Sequence, residues 1–339
     1  MTAERYVIIG NGAAANAAAD LLRREDPDSP ITLISDEAFP FYYRHKLSDY
    51  LAGWVEEGDL TVRSPEHYQQ TKLRLRLGQR VVKVALAERT LYLAHMEKVH
   101  YTKLLLCTGG TPRIPEPLQV HREHLTCLKT LADARVFRTK LAEVDRLLLV
   151  GGDMVSVRVA ARLVEAGKEV HFLVDRDSFW PLELTDERYD ELVKALDKRG
   201  VKLLEGDRIT DIVAGEPDCL KVTTGHGASL DCGLIGAFFG YVPNVDFLLG
   251  SGLDIERGVL VDDHLQTSDP HVYAAGDCAQ VYNPDIRNYW VSIGWPNAER
   301  LGRCAASNML GAVQQVDEPP QKALSIEGIK VCTPWWRQF

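Results

Sequence analysis

Two glycine-rich segments, Gly10-Asn11-Gly12-Ala13-Ala14-Ala15 and Gly151-Gly152-Asp153-Met154-Val155-Ser156, each follow a short apolar run and precede a helix-forming stretch. A G-x-G-x-x-G/A turn between strand and helix constrains a chain strongly. The first glycine makes the bend, the second lets a diphosphate approach the backbone, and the third lets helix pack on strand. Gly10, Gly12 and Ala15 meet that rule, with Ala13 and Ala14 between them. The second segment keeps Gly151 and Gly152 but has Asp153 in the second glycine position and Ser156 in the third. A carboxylate there opposes the attraction of a helix N-terminus for anions. The first turn is expected to hold a dinucleotide and the second to hold one poorly.

The surrounding patterns extend both turns into α/β units. Tyr6 to Gly10 reads as a strand, Ala13 to Arg24 as an alanine-rich helix, and Ile31 to Ile34 as the next strand, closing at Ser35-Asp36-Glu37. Acids about 20 residues after the glycine turn stand where a ribose hydroxyl is bound, which singles out Asp36 and Glu37. Leu73 to Leu77, Val81 to Leu86 and Lys103 to Cys107 look like strands added beyond this unit. The pattern then restarts with strand Leu147 to Gly152, helix Val157 to Glu165, and strand Val170 to Val174, which closes at Asp175. Proline-rich crossings at Thr111 to Pro117 and Tyr241 to Asn244 mark boundaries. The elements after the second crossing, including Val272 to Asp277 and a helix from Asn297 to Leu310, are too few for a third unit. They are expected to complete the first. The fold class is therefore α/β, with two Rossmann-like three-layer domains, the second inserted in the first: residues 1–116 plus 244–318, then 117–243, with a tail at 319–339.

Composition excludes other classes. A formal net charge of -9 and the absence of a basic tract argue against nucleic acid as a partner. The apolar run after Met1 to Arg5 is too short for a signal peptide or membrane span, so a cytoplasmic protein is expected. The seven cysteines show no C-x-x-C or C-x-x-x-x-C pair and the ten histidines no metal-binding spacing, so no metal site is expected.

The two turns, with Cys107-Thr108-Gly109-Gly110 before the first crossing and Ala275-Gly276-Asp277-Cys278 after the return, resemble the two-dinucleotide-fold flavoproteins of the FAD-dependent pyridine nucleotide-disulfide oxidoreductase superfamily. Phe39-Pro40-Phe41-Tyr42-Tyr43-Arg44-His45-Lys46-Leu47-Ser48 and Trp295-Pro296-Asn297-Ala298 are similar to segments of its rubredoxin reductases, its ferredoxin reductases and the flavin part of NADH-dependent nitrite reductase. The resemblance covers nearly the whole chain. It implies FAD held by Gly10, Gly12, Ala13, Ala14 and Ala15 at the pyrophosphate, Asp36 or Glu37 at the ribose, and Arg44 as a fixed cation. It further implies contacts from Leu47, Val82, Thr108 and Gly109, Gly276 and Asp277 toward the ribityl or pyrophosphate groups, and Trp295, Pro296 and Ala298 at the pyrimidine end of the flavin.

Disulfide reductases of the superfamily carry a cysteine pair that this chain lacks, which leaves the flavin as the redox centre. Cys278 is expected to be a buried small hydrophobe. In the family pattern Gly-Gly-Gly-x-x-Gly-x-Glu this chain has Asp153, Ser156 and Arg158 at the last three defined positions. Two phosphate charges beside Asp153 would lose about 1 to 4 kcal/mol, so NAD(P) is a doubtful cofactor. Asp175 favours NAD over NADP, and its neighbour Arg176 blurs that preference. Asp153 is expected to cap the following helix, with Arg158 free to pair with an acid or face a partner; alternatively Asp153 rotates away and a nicotinamide binds weakly. Family members usually continue with an interface domain of several strands, and only its first strand is expected after residue 319. Three of the last five residues, Trp335, Trp336 and Phe339, are aromatic and expected to pack on the body or on another subunit. The function implied is an FAD-dependent oxidoreductase passing electrons to or from an iron-sulfur or other redox protein, as a subunit of a larger complex or a homo-oligomer. The alternatives are an NAD(P)H:rubredoxin or ferredoxin reductase with an atypical nicotinamide site, and a non-catalytic FAD-binding structural or assembly subunit.

Overall fold

Ten strands build two parallel sheets: β1 (Tyr6–Ile9), β2 (Ile31–Ile34), β3 (Leu73–Arg76), β4 (Lys103–Leu106), β5 (Leu125–Thr126), β6 (Arg146–Gly151), β7 (Glu169–Val174), β8 (Lys202–Glu205), β9 (Leu234–Phe238) and β10 (Val272–Ala274). The structure, a computed structural model, describes residues 5–179, 185–215, 219–285, 287–292, 294–316, 323–326, 329–332 and 336–337. The first sheet runs β10-β4-β1-β2-β3 and the second β8-β7-β6-β9-β5, with every neighbouring pair parallel. Their central strands are apolar and buried apart from a basic first residue on β4 and β6, as parallel strands covered on both faces must be. In each sheet the strand order reverses beside the strand that carries a glycine turn. Such a switch point opens a crevice at the carboxyl ends of the strands.

The two runs 73–77 and 103–107 are not additions to the first unit. Leu73–Arg76 pairs with β2 and Lys103–Leu106 with β1, which places both inside the first sheet. Only Val81–Ala85 departs, joining Thr90–Leu93 and Lys98–His100 in a separate antiparallel sheet. Five helices matter for the site: α1 (Ala13–Glu25), α2 (Leu47–Leu51), α3 (Leu131–Ala142), α4 (Met154–Glu165) and α5 (Trp295–Met309). The alanine face of α1 lets α5 approach so closely that a Cβ on Gly302 would lie 2.2 Å from the Ala14 carbonyl oxygen. The tail holds more than one strand: Ala323–Ile326 pairs with Ile329–Cys332, and Trp336–Arg337 pairs with Asn288–Ser292. Trp335 and Phe339, and the side chain of Trp336, lie outside the described residues.

The excursion between β2 and β3 divides its side chains between two cores. Phe41 packs with the first sheet, whereas Tyr42, Leu47, Tyr50, Leu51 and Leu60 join Leu131, Phe137, Val157 and Ala160 beneath the second. Hydrophobic burial thus welds this segment to helices α3 and α4.

Candidate functional site

At the first turn Gly10 has φ +119°, and a Cβ there would lie 2.1 Å from the Cys107 carbonyl oxygen, so only glycine fits. Gly12 precedes α1 in extended backbone, with open space where a Cβ would project. The first amide groups of α1 therefore meet no capping side chain from Gly12, and Ala13, Ala14 and Ala15 add no bulk. Gly276, at φ +80°, passes against Ala14, with Asp277 next to it. At the start of α5 Gly294 has φ +105° and likewise offers no side-chain cap to the helix that Trp295 and Pro296 begin. The Trp295 ring stacks on Phe41 with centroids 5.0 Å apart and donates from Nε1 to Glu299 at 2.8 Å, and Ala298 is buried behind it. Thr108 Oγ1 donates to the Asn244 carbonyl at 2.8 Å, and Gly109 turns the chain at φ +63°. Gly10 meets Cys107 beyond β4, and Gly276 beyond β10 meets Ala14 and Ala298, which brings the first turn and the starts of α1 and α5 to the carboxyl end of the first sheet.

Arg44 donates to Glu37, to Tyr42 Oη at 2.6 Å and to the Lys129 carbonyl at 3.2 Å. Glu37 is thereby taken up by an ion pair, while Asp36, the other ribose candidate, stands exposed at the end of β2. Tyr42 Oη also donates to Glu37 at 2.7 Å and accepts from the Leu131 amide at the start of α3 at 2.9 Å. Lys129 reaches Asp277 at 3.5 Å, with its ammonium 4.0 Å from the Tyr241 ring centroid. Burial draws the Lys129 pKa down while Asp277 opposes the shift. Leu47 is buried in α2, and Val82 is exposed on the separate antiparallel sheet.

The second turn is built differently. Gly151 has φ +111°, and a Cβ would lie 1.8 Å from the Phe238 carbonyl oxygen, so the bend itself is kept. At Gly152 a Cβ would come 2.7 Å from Ser178 Cβ. Asp153 caps α4, accepting from the Val155 amide at 2.9 Å and the Ser156 amide at 2.8 Å, and Ser156 Oγ donates back to the Asp153 carbonyl at 2.6 Å. Two donors that a diphosphate would use are thus already paired. Burial raises the carboxyl pKa of Asp153 against the pull of these amides. Asp175 is exposed at the end of β7.

Arg158 pairs with an acid from the other domain: its guanidinium meets Asp49 at 3.0 Å, and Arg162 meets the second oxygen of Asp49 at 2.9 Å. The buried carboxylate ties α2 to α4. Lys129, Asp49 and the Tyr42 contact to Leu131 carry no sequence signal, since those partners are remote along the chain. The thiols of Cys107 and Cys278 are buried and their pKa values pushed up, as expected of unreactive side chains. Asp262, Asp263 and His264 lie close enough to share an ion, but Asp262 already accepts from the His264 and Gln266 amides. Among the described residues no helix is long and apolar enough to cross a membrane.

Two parallel sheets with glycine turns at their switch points, one turn open and one capped, define a two-dinucleotide-fold oxidoreductase. The chain belongs to the pyridine nucleotide-disulphide oxidoreductase family, whose pattern it matches over residues 4–300. FAD is expected for that family. The open amides at α1, the space above Gly12 and the uncapped start of α5 fit it. The chain is 30% identical to the ferredoxin–NAD(+) reductase component of the anthranilate 1,2-dioxygenase system of Burkholderia cepacia, over 94% of this chain and 79% of that one. It is 28% identical to putidaredoxin reductase of Pseudomonas putida, over 94% and 76%. The crystal structure of a covalent putidaredoxin reductase–putidaredoxin complex superposes with a TM-score of 0.84 at 26% identity, covering 94% of this chain and 78% of that one. Relatives named for NAD(+) lend no support to the expectation that a nicotinamide is doubtful here.

Proposed function

We propose that this chain carries electrons through bound FAD to or from an iron-sulfur protein, and that its nicotinamide site is weakened at the diphosphate. The carrying observation is the contrast between helix starts: α1 and α5 are open, whereas α4 is filled by the carboxylate of its own Asp153. In this reading residues 1–116 and 244–318 hold FAD and 117–243 form the nicotinamide domain. Gly10, Gly12 and Ala13 to Ala15 would bind the pyrophosphate, Asp36 the ribose, Arg44 and Asp277 the groups between them, and Trp295 to Ala298 the flavin. FAD supplies the exchange between two-electron and one-electron transfer. The protein's part is orientation: Tyr42, Arg44 and Asp277 grip Lys129 and Leu131 of the second domain, so the two nucleotide crevices keep one relative position. The names of the relatives support NADH as a donor, and the capped α4 supports weak affinity for it. A second reading, a flavin-holding subunit that does not turn over, draws on the same capped helix.

The purified protein is expected to show a flavin absorption spectrum. Mixed anaerobically with reduced ferredoxin its flavin should bleach, and with NADH it should bleach only at concentrations well above those that saturate an ordinary reductase. Bleaching at low micromolar NADH would remove the weakened-site reading. A flavin inert to both donors would favour the non-catalytic subunit.

A further inference from the structure

The side of the first turn away from its open amides holds a buried polar network. Helix α1 is lined with alanine and leucine, yet Asn16 on its buried face is only 1% exposed. Its Nδ2 lies 3.0 Å from each of the Asn11 carbonyl, the Asn11 Oδ1 and the Gly12 carbonyl. Its Oδ1 accepts from Tyr68 Oη at 2.8 Å and from Arg63 at 3.2 Å. Tyr68, on the short helix Pro65–Gln70, is also 1% exposed, with its hydroxyl 3.1 Å from Asn11 Oδ1. Arg63 is anchored in turn on Asp20. Two carbonyls of a phosphate-binding turn are thus drawn inward.

The physical consequence follows from what a diphosphate meets. Amide hydrogens attract it and carbonyl oxygens repel it, so a turn binds anions only when its peptide groups are oriented with the N–H side outward. Glycine and alanine supply no side chain to fix that orientation; the Gly12 carbonyl is held by the backbone amide of Asn16 at 3.0 Å, whereas the Asn11 carbonyl relies on the Asn16 side chain. Burying an amide and a phenol here is costly unless their hydrogen bonds are made. We propose that Asn16 and Tyr68 are positioning residues for the diphosphate: the Asn16 side chain holds the Asn11 carbonyl inward and reinforces the backbone bond on the Gly12 carbonyl, Tyr68 fixes the Asn16 and Asn11 side chains, and together they present the amides of α1 to the cofactor. The proposal rests on the reading that the first turn binds FAD.

The test is a titration of apoprotein with FAD, with ADP and adenosine as competing probes, for wild type, Asn16→Leu and Tyr68→Phe. Asn16→Leu should weaken FAD and ADP at least about tenfold and Tyr68→Phe about threefold, the loss of one or two buried hydrogen bonds. Adenosine, which lacks phosphate, should compete as well as it does with wild type. Equal losses for ADP and adenosine, or unchanged affinity for FAD, would overturn the proposal. Tyr68→Phe keeps the ring and decides the matter if Asn16→Leu does not fold. Wild-type apoprotein that binds no FAD would instead defeat the cofactor reading, which separates the two.

Discussion

Asp153 sets the character of the second turn because one carboxylate does two things there. It satisfies two amides of α4 and it places charge where a phosphate would stand. Replacing an aspartate cap by alanine costs about 1 kcal/mol, and by glycine only a few tenths. Asp153→Gly is therefore expected to leave the melting temperature nearly unchanged while tightening NADH binding about tenfold, the lower part of the like-charge penalty. Asp153→Ala should tighten NADH similarly but melt earlier. Calorimetry and a binding titration on both variants check this, and an unaltered affinity would show that the carboxylate does not limit the site. The capping was legible in the sequence because it acts over three residues. The pairing of Arg158 with Asp49 was not, because it joins side chains 109 residues apart.

At the scale of elements, the second sheet is laced across its edge by charge. Glu169 of β7 pairs in register with Arg146 of β6, bonds Lys202 of β8, and lies 3.2 Å from His171. Lys202, Arg146 and His171, in that order, pull the Glu169 carboxyl down to about 2 from its ordinary 4.5. A depressed carboxylate stabilises the fold fully above its unfolded pKa, and that contribution is lost as pH falls through the folded value. Acid unfolding should thus acquire a component between pH 4.5 and about 2 that Glu169→Gln lacks. Identical acid profiles for the two proteins would show that the ladder is not coupled to folding. Strands β6 and β7 were readable from their apolar runs, whereas β8, with two leucines between charged ends, was not. Nor was sheet membership: Leu73–Arg76 and Lys103–Leu106 look local in sequence, and only parallel pairing with β2 and β1 places them in the central sheet.

Across the whole molecule, the excursion between β2 and β3 belongs by chain order to the first unit but divides its packing between the first and the second. Leu60 is fully buried there, and Leu60→Ala is expected to cost about 2 to 5 kcal/mol. Because that core spans both units, flavin release and loss of ellipticity should move together to lower temperature. Separate transitions would mean that the two halves fold independently. The Arg44, Tyr42 and Asp277 contacts to Lys129 and Leu131 reinforce the same coupling.

The sequence by itself determined the two strand-turn-helix units, the intact first turn, the altered second turn and the family, because glycine spacing and apolar periodicity are properties of neighbouring residues. It also marked Glu37 as a ribose candidate, which the fold turns toward Arg44. The tertiary structure alone decided which acids stay exposed, that Lys129 stands between the domains, and that Asn16 faces Asn11 and Tyr68. Those outcomes depend on which distant side chains share a desolvated space, where each buried polar group must find a partner.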